Sequence, residues 1–200
     1  AVQPGETSSF NKALGERTTK KGYKAAGALE NGMHTQQVGG GICQVSTTLF
    51  NAVAKADLQI VERSPHSIPS VYVDLGKDAA VNWPNQDFKF KNTSLYPVYI
   101  VATLGKDKKV TFSIYGKMLD DGLTVKVISK KTGTYTPKED QIIVDASLAP
   151  GEKVVVEAAR KGYTADTYRV YYNAKGKEID RQRLFKSTYR SAGAVIRVGK

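Results

Sequence analysis

Helical periodicity is clearest from Ile42 to about Ala56, where Ile42, Val45, Leu49, Val53 and Ala56 recur at spacings of three and four and line one face. Cys43, Thr47, Phe50 and Ala54 lie beside that face. Upstream, Lys12 to Gly27 carries scattered helical signals broken by Gly15 and Gly22. Downstream, Val71–Val73, Ala79–Val81, Phe88–Phe90, Val98–Ala102 and Val110–Tyr115 are predicted as short, turn-bounded strands. The texture changes near residue 118. Beyond it, Leu123–Ser129, Glu152–Ala159, Thr167–Tyr172, Arg183–Lys186 and Val195–Val198 alternate apolar and polar residues between glycines. Tyr163, Tyr168, Tyr171 and Tyr172 suit a pleated surface better than a helix, and Thr132 to Lys138 reads as a turn-rich connector.

Asp120-Asp121-Gly122 is a turn signal and marks the expected boundary between a domain over 1–118 and a second over 119–200. The expected fold class is α+β: a helix with an antiparallel sheet, followed by a small extended all-β domain. Two hundred residues suffice for two modest cores. No apolar run approaches the roughly 20 residues that span a bilayer, and the N-terminus lacks the order of a signal peptide. These features suit an excised ectodomain fragment or a cytosolic protein; the opening Ala1-Val2-Gln3-Pro4-Gly5 reads as mid-chain sequence, so any export signal or membrane anchor is expected upstream of it. The formal charge is +11. Basic residues exceed acidic ones by 14 to 9 over 1–118 and by 16 to 10 over 119–200. With the excess spread evenly, and no zinc-finger spacing or RNP-like string to focus it, the charge reads as general attraction to a polyanion and nucleic acid is set aside.

Glycine and chemistry coincide in Gly39-Gly40-Gly41-Ile42-Cys43-Gln44-Val45-Ser46-Thr47-Thr48-Leu49-Phe50. Three glycines permit positive φ and leave room for a substrate, and the helix that follows presents unpaired N–H groups at its first turn. Cys43, the single cysteine, thus lies where a helix dipole favours a thiolate. Backbone amides near Gln44 suit the oxyanion of a tetrahedral intermediate, and Gly40, Gly41 and Gln44 are candidate substrate-binding positions. The plainer reading is a small buried hydrophobe. A thiol nucleophile needs a base, and the chain has two histidines. His66 lies between Pro65 and Pro69, just ahead of a predicted strand, whereas His34 reaches the site only if its loop folds back. Cysteine at a helix start, then histidine, then a polar orienting residue is the chain order of papain-like enzymes. Asp78 is the candidate orienter, with Asp74 and Asn82 as rivals.

The stretches Pro4-Gly5-Glu6-Thr7-Ser8-Ser9-Phe10-Asn11, Gly15-Glu16-Arg17-Thr18, Gly39 through Asn51, Ile60-Val61-Glu62-Arg63, Pro65-His66-Ser67 and Asp87-Phe88-Lys89-Phe90-Lys91-Asn92 resemble the VanW family over residues 1 to about 118. That family is named for an accessory protein of vancomycin-resistance clusters. Pro150-Gly151-Glu152, Lys161-Gly162-Tyr163, Tyr168 to Tyr172, Gly176-Lys177 and Val195-Ile196-Arg197-Val198-Gly199 are similar to a G-five (G5) domain, a small β module of bacterial surface proteins.

The resemblance implies an extracellular protein at the wall or membrane of a Gram-positive bacterium. Family members have been connected with L,D-transpeptidase activity, in which a cysteine forms a thioester with a peptidoglycan stem peptide. Carried onto this chain, it implies Cys43 as nucleophile and His66 as its partner, with Arg17, Gln44, Glu62 and Ser67 as further motif positions, Arg17 and Ser67 among the substrate-binding set. Two positions depart from the pattern. Asp78-Ala79-Ala80-Val81 replaces an expected Asp-Ala-Thr-Val, keeping the carboxylate but losing a hydroxyl, and Ser8 stands where an aromatic is usual. The implied partners are stem peptides and glycan, with anionic wall polymers suited by the charge. Neither cofactor nor metal is implied. The second class of reading is a non-catalytic peptidoglycan- or glycopeptide-binding module whose glycine loop holds a carboxylate. In the second half the tyrosines either stack on sugars or cover a thin β core.

Overall fold

The computed structural model describes all residues except 31, 32, 121 and 138, and the side chains of 29, 30, 33 and 34 also fall outside the description. Asp121 of the expected boundary turn and Lys138 at the end of the expected connector therefore lie outside the described residues.

In the first half, β1 (Thr7–Ser9) and β4 (Gln59–Glu62) flank β5 (Lys89–Lys91) in an antiparallel sheet. Two antiparallel hairpins join it, β2 (Ala25–Glu30) with β3 (Met33–Val38) and β6 (Tyr99–Leu104) with β7 (Val110–Tyr115). Helices are α1 (Phe10–Leu14), capped by the Ser9 hydroxyl on the Lys12 amide, and α2 (Ile42–Lys55). In the second half β11 (Gly162–Tyr172) is the middle of a long antiparallel sheet between β8 (Thr124–Tyr135) and β12 (Glu178–Tyr189). A smaller sheet centres on β13 (Val195–Gly199), antiparallel to β10 (Lys153–Glu157) and parallel to β9 (Gln141–Asp145).

The molecule is mostly β, and this corrects the expected α+β catalytic domain of papain-like order. Among the described residues there are two α-helices, one of only 5 residues, against thirteen strands. The helical signals between residues 12 and 27 fail because Gly15 and Gly22 adopt φ of +66° and +86°, leaving one short turn and then the β2 strand. The connector expected over 132–138 is largely the end of β8. Residues 71–73, read as a strand from their β-branched and aromatic character, are irregular. Val71 is 96 % exposed, so no sheet rewards that propensity there.

The core gathers Leu49, Phe50, Val53, Ala54 and Leu58 from α2 and its exit, Phe88 and Phe90 from around β5, and Val81. Phe50 meets Phe88 edge-on, and on its other side Phe185 of β12, at centroid distances of 5.8 and 6.0 Å. Val127 of β8 belongs to the same cluster, and Leu184 and Phe185 pack against it. The two halves thus share one apolar core. Arg169 of β11 adds a polar tie: its guanidinium donates to the carbonyls of Ala54 and Leu58 at the end of α2 and pairs with Asp57 at 2.9 Å.

Candidate functional site

Helix α2 carries a second stripe that its apolar pattern conceals. Cys43, Ser46, Thr47 and Asn51 follow helical spacing, and each bonds the extended segment 77–81, which runs alongside in place of a partner strand. The Asn51 amide donates to the Lys77 carbonyl at 2.8 Å, the Ala79 amide to the Thr47 hydroxyl at 2.9 Å, and the Ser46 hydroxyl to the Ala79 carbonyl at 2.5 Å. At the N-terminal end the Cys43 sulfur lies 3.4 Å from the Val81 carbonyl and 3.5 Å from its amide. Ser46 and Thr47 are fully buried. Their hydroxyls satisfy backbone groups that an apolar helix face would leave stranded.

This zipper places Asp78 opposite the loop that holds His66. The Asp78 carboxylate is completely buried and takes four donors. Its Oδ2 accepts the His66 backbone amide and the His66 Nδ1–H, both at 2.7 Å. Its Oδ1 accepts Arg63 Nη2 at 2.7 Å and the Tyr189 hydroxyl at 2.5 Å. Burial opposes the charge, but the His66 hydrogen bonds and the Arg63 guanidinium outweigh it and hold the carboxyl below its ordinary range. Arg63 is wedged between the rings of Phe50 and Phe185, 5.6 and 5.4 Å from their centroids.

With Nδ1 committed to Asp78, the other ring nitrogen of His66, Nε2, lies 3.5 Å from the Tyr72 hydroxyl. Burial works against an imidazolium here, yet the Asp78 bond, the nearby Cys43 side chain and the charges of both raise His66 to about 9. The Tyr72 phenol is pushed up to about 12, chiefly by burial, with the Cys43 and Asp78 charges in the same direction and a Thr47 bond opposing. Cys43 is half-buried, within electrostatic reach of the imidazole, while its shortest polar contacts are those to Val81.

The glycine loop is shaped by backbone necessity. A Cβ on Gly40 would run into the Ala26 and Gly27 carbonyls, and Gly41, the residue before α2, has φ +87°. The Ile42 and Gln44 amides are already taken by the Gly39 and Gly41 carbonyls, at 3.3 and 3.0 Å. The expected oxyanion amide at Gln44 is therefore engaged, while among the described residues no backbone carbonyl accepts the Cys43 N–H. Gln44 and Gly41 are exposed. The aliphatic stem of Arg17 packs over Gly39, and its Nη2 donates to Asn11 Oδ1 at 2.7 Å. Asn11 in turn reaches the carbonyl of Gln86, within the short loop that leaves Val81. Arg17 Nε and Nη1 are buried without a hydrogen-bond partner among the described residues.

Of the three candidate orienters, Asp78 touches His66; Asp74 is exposed and pairs with Lys77, and Asn82 makes a backbone bridge with Gln86. Ser67 is exposed and its carbonyl accepts the Arg190 amide at 2.8 Å. Glu62 pairs with Lys89 at 2.7 Å. The side chain of His34 lies outside the described residues. Three residues escaped the sequence reading as members of this cluster: Arg63, Tyr72 and Tyr189. Arg63 stands next to a motif glutamate, which was a usable signal; Tyr72 read as a strand former, and Tyr189 lies more than 100 residues from Asp78. A cleft of about 510 Å³ lies away from this cluster, between Asp57, Arg169, Tyr171, Arg183 and Phe185, and a smaller one borders Tyr189 from the side of Tyr135 and Arg190.

Comparison with known proteins matches residues 1–115 to the VanW-like protein family and residues 128–200 to the G5 domain. The chain is 52% identical over 101 residues to the uncharacterized protein YoaR of Bacillus subtilis, covering 50% of this chain and 33% of YoaR. It is 31% identical over 112 residues to the vancomycin B-type resistance protein VanW of Enterococcus faecalis, covering 54% of this chain and 41% of that protein. The chain therefore spans less than half the length of these curated relatives. Among solved structures, the IgA1 protease G5 domain aligns with 39% of this chain and 89% of its own at 19% identity and TM-score 0.27. HP0197-G5 aligns with 38% and 97%, also at 19% identity, with TM-score 0.21. The chain belongs to the VanW family, its VanW domain being followed by a G5 domain.

Proposed function

We propose that the protein is a cell-wall-associated cysteine acyl transferase acting on peptidoglycan stem peptides, an L,D-transpeptidase working through a thioester on Cys43. The observation that carries this reading is the His66–Asp78 pair, a buried carboxylate bonded to Nδ1 at 2.7 Å, with the Cys43 side chain at the start of α2 close enough to act on the same imidazole. The VanW–G5 pairing supports an extracellular location at the wall, and no helix among the described residues is long and apolar enough to cross a membrane.

In the first step the Cys43 thiolate attacks the carbonyl carbon of a stem-peptide amide, and the Cys43 N–H at the start of α2 stabilises the oxyanion. His66, protonated up to about pH 9, donates its proton to the leaving amine of the terminal residue as the C–N bond breaks. In the second step the neutral imidazole takes a proton from an acceptor amine, which attacks the thioester, forms the new amide and releases the thiolate. If water takes the place of the amine, the same site is a carboxypeptidase. Nucleophile–base contacts tighten when substrate binds, so a free site whose sulfur rests on Val81 is compatible with this chemistry.

The same sulfur contact favours a second reading, in which Cys43 is a structural thiol closing the α2–Val81 zipper and the domain binds peptidoglycan without turnover. Mass spectrometry after incubation with purified tetrapeptide stems separates the two. A thioester adduct on Cys43, absent from Cys43→Ala, is the expected result. No adduct, with wall binding retained by Cys43→Ala, refutes catalysis and leaves the binding module.

A further inference from the structure

All the reacting groups of the proposed site belong to the first half of the chain, yet the carboxylate that organises them is anchored from the second. Tyr189 is the last residue of β12 and is 1% exposed. Its hydroxyl accepts the Gly76 amide at 2.6 Å and donates to Asp78 Oδ1 at 2.5 Å. Two residues earlier on the same face of β12, the buried Ser187 hydroxyl accepts Arg63 Nη1 at 2.7 Å, while Arg63 Nη2 holds the other side of Oδ1. From the neighbouring strand β11, Thr167 donates to the Gly76 carbonyl at 2.7 Å. Gly76 has φ +84°, and a Cβ there would strike the Thr167 hydroxyl, so loop 74–78 is pressed directly onto the second domain's sheet.

We propose that Tyr189 of the G5 domain is a positioning residue for the Cys43 site: its hydroxyl fixes loop 74–78 and the Asp78 carboxylate, so that the site is complete only when both domains are docked. A purely covering role would be met by the ring alone. The hydroxyl instead joins a backbone amide to a carboxylate that has no solvent to turn to, and its loss leaves both the Gly76 N–H and one face of Oδ1 unmatched. The charged and titratable groups around His66 are Asp78, Arg63, Cys43, Tyr72 and Tyr189, so a change at Tyr189 reaches His66 through Asp78.

The catalytic consequence rests on the acyl-transferase reading; the positioning itself does not, and the test separates them. Tyr189→Phe in the full chain keeps the ring and removes the hydroxyl. Imidazole NMR against pH is expected to show a folded protein whose His66 midpoint drops by about half a unit or more, as Asp78 turns away from Nδ1. Cross-linking of purified stems is expected to lose about ten-fold in kcat with KM little changed. A His66 midpoint that stays or rises overturns the assignment. Should Tyr189→Phe not fold, Ser187→Ala, which frees the Arg63 arm of the same clamp, decides by the same midpoint. If the wild-type protein forms no cross-links, the acyl-transferase reading fails while the midpoint still judges Tyr189.

Discussion

Asp78→Asn is the sharpest single perturbation available, because it exchanges a fully buried carboxylate with four donors for a neutral amide of the same shape. Arg63, whose side chain is 1% exposed, would keep its charge and lose its partner. Breaking a buried pair in this way costs roughly 3–5 kcal/mol. A second, pH-dependent contribution comes from His66. Its folded value of about 9 lies above the ordinary 6.5, so the stability it contributes is fully present below about pH 6.5 and is lost as pH rises through about 9. From the size of that shift the contribution is at most about 3 kcal/mol. Asp78 itself is depressed, so its contribution is present above the ordinary carboxylate range and lost only as pH falls through its folded value. Urea unfolding of wild type and Asp78→Asn at pH 6 and pH 9.5 reads the difference. The variant is expected to be several kcal/mol less stable at pH 6, with the gap narrowing at pH 9.5 as wild type sheds the His66 contribution. An equal gap at both pH values would refute the coupling of His66 to Asp78.

Four further outcomes follow from the same structure. Iodoacetamide labelling of Cys43 is expected to persist below pH 7 while His66 is protonated, and His66→Gln is expected to abolish that low-pH reactivity; a rate that simply rises with pH as for a free thiol in both proteins speaks against the pair. Gly40→Ala is expected to destabilise by roughly 2–4 kcal/mol, because its Cβ meets the Ala26 and Gly27 carbonyls. Gly41→Ala, with open space but φ +87°, is expected to lose only about 1–2 kcal/mol, both measured by urea titration. Arg169→Ala removes the donor that closes the end of α2 and is expected to lower stability by roughly 2–3 kcal/mol, with the two halves unfolding at separated midpoints where wild type unfolds in one step.

Much of the local structure was legible in the order of residues. The α2 boundaries followed from apolar spacing and the preceding glycines, β7 from its strand-forming residues between turns, and β13 and the second half of β11 from alternation, because these stretches satisfy their pattern within a few neighbouring residues. Cys43, His66 and Asp78 were identifiable as candidates because a thiol at a helix start narrows the search for its base and orienter to few side chains. Chain order misled where it stood in for architecture. The succession of cysteine, histidine and carboxylate resembles a papain-like enzyme, but glycines at positive φ remove the helices that fold would need, and short strands take their place.

What tertiary structure alone decided was the company these groups keep. The polar stripe of α2 is a strand substitute only because segment 77–81 lies along it; in sequence, Ser46 and Thr47 are simply polar residues in a helix. The four-donor shell of Asp78 draws on Arg63 and on Tyr189, 111 positions away, and no local pattern connects residues whose bonds depend on two domains sharing one core. Periodicity reports which face of an element is buried, since burial is set by nearest neighbours along the chain; it carries no record of which distant side chain meets a buried carboxylate, since that depends on how separate elements dock.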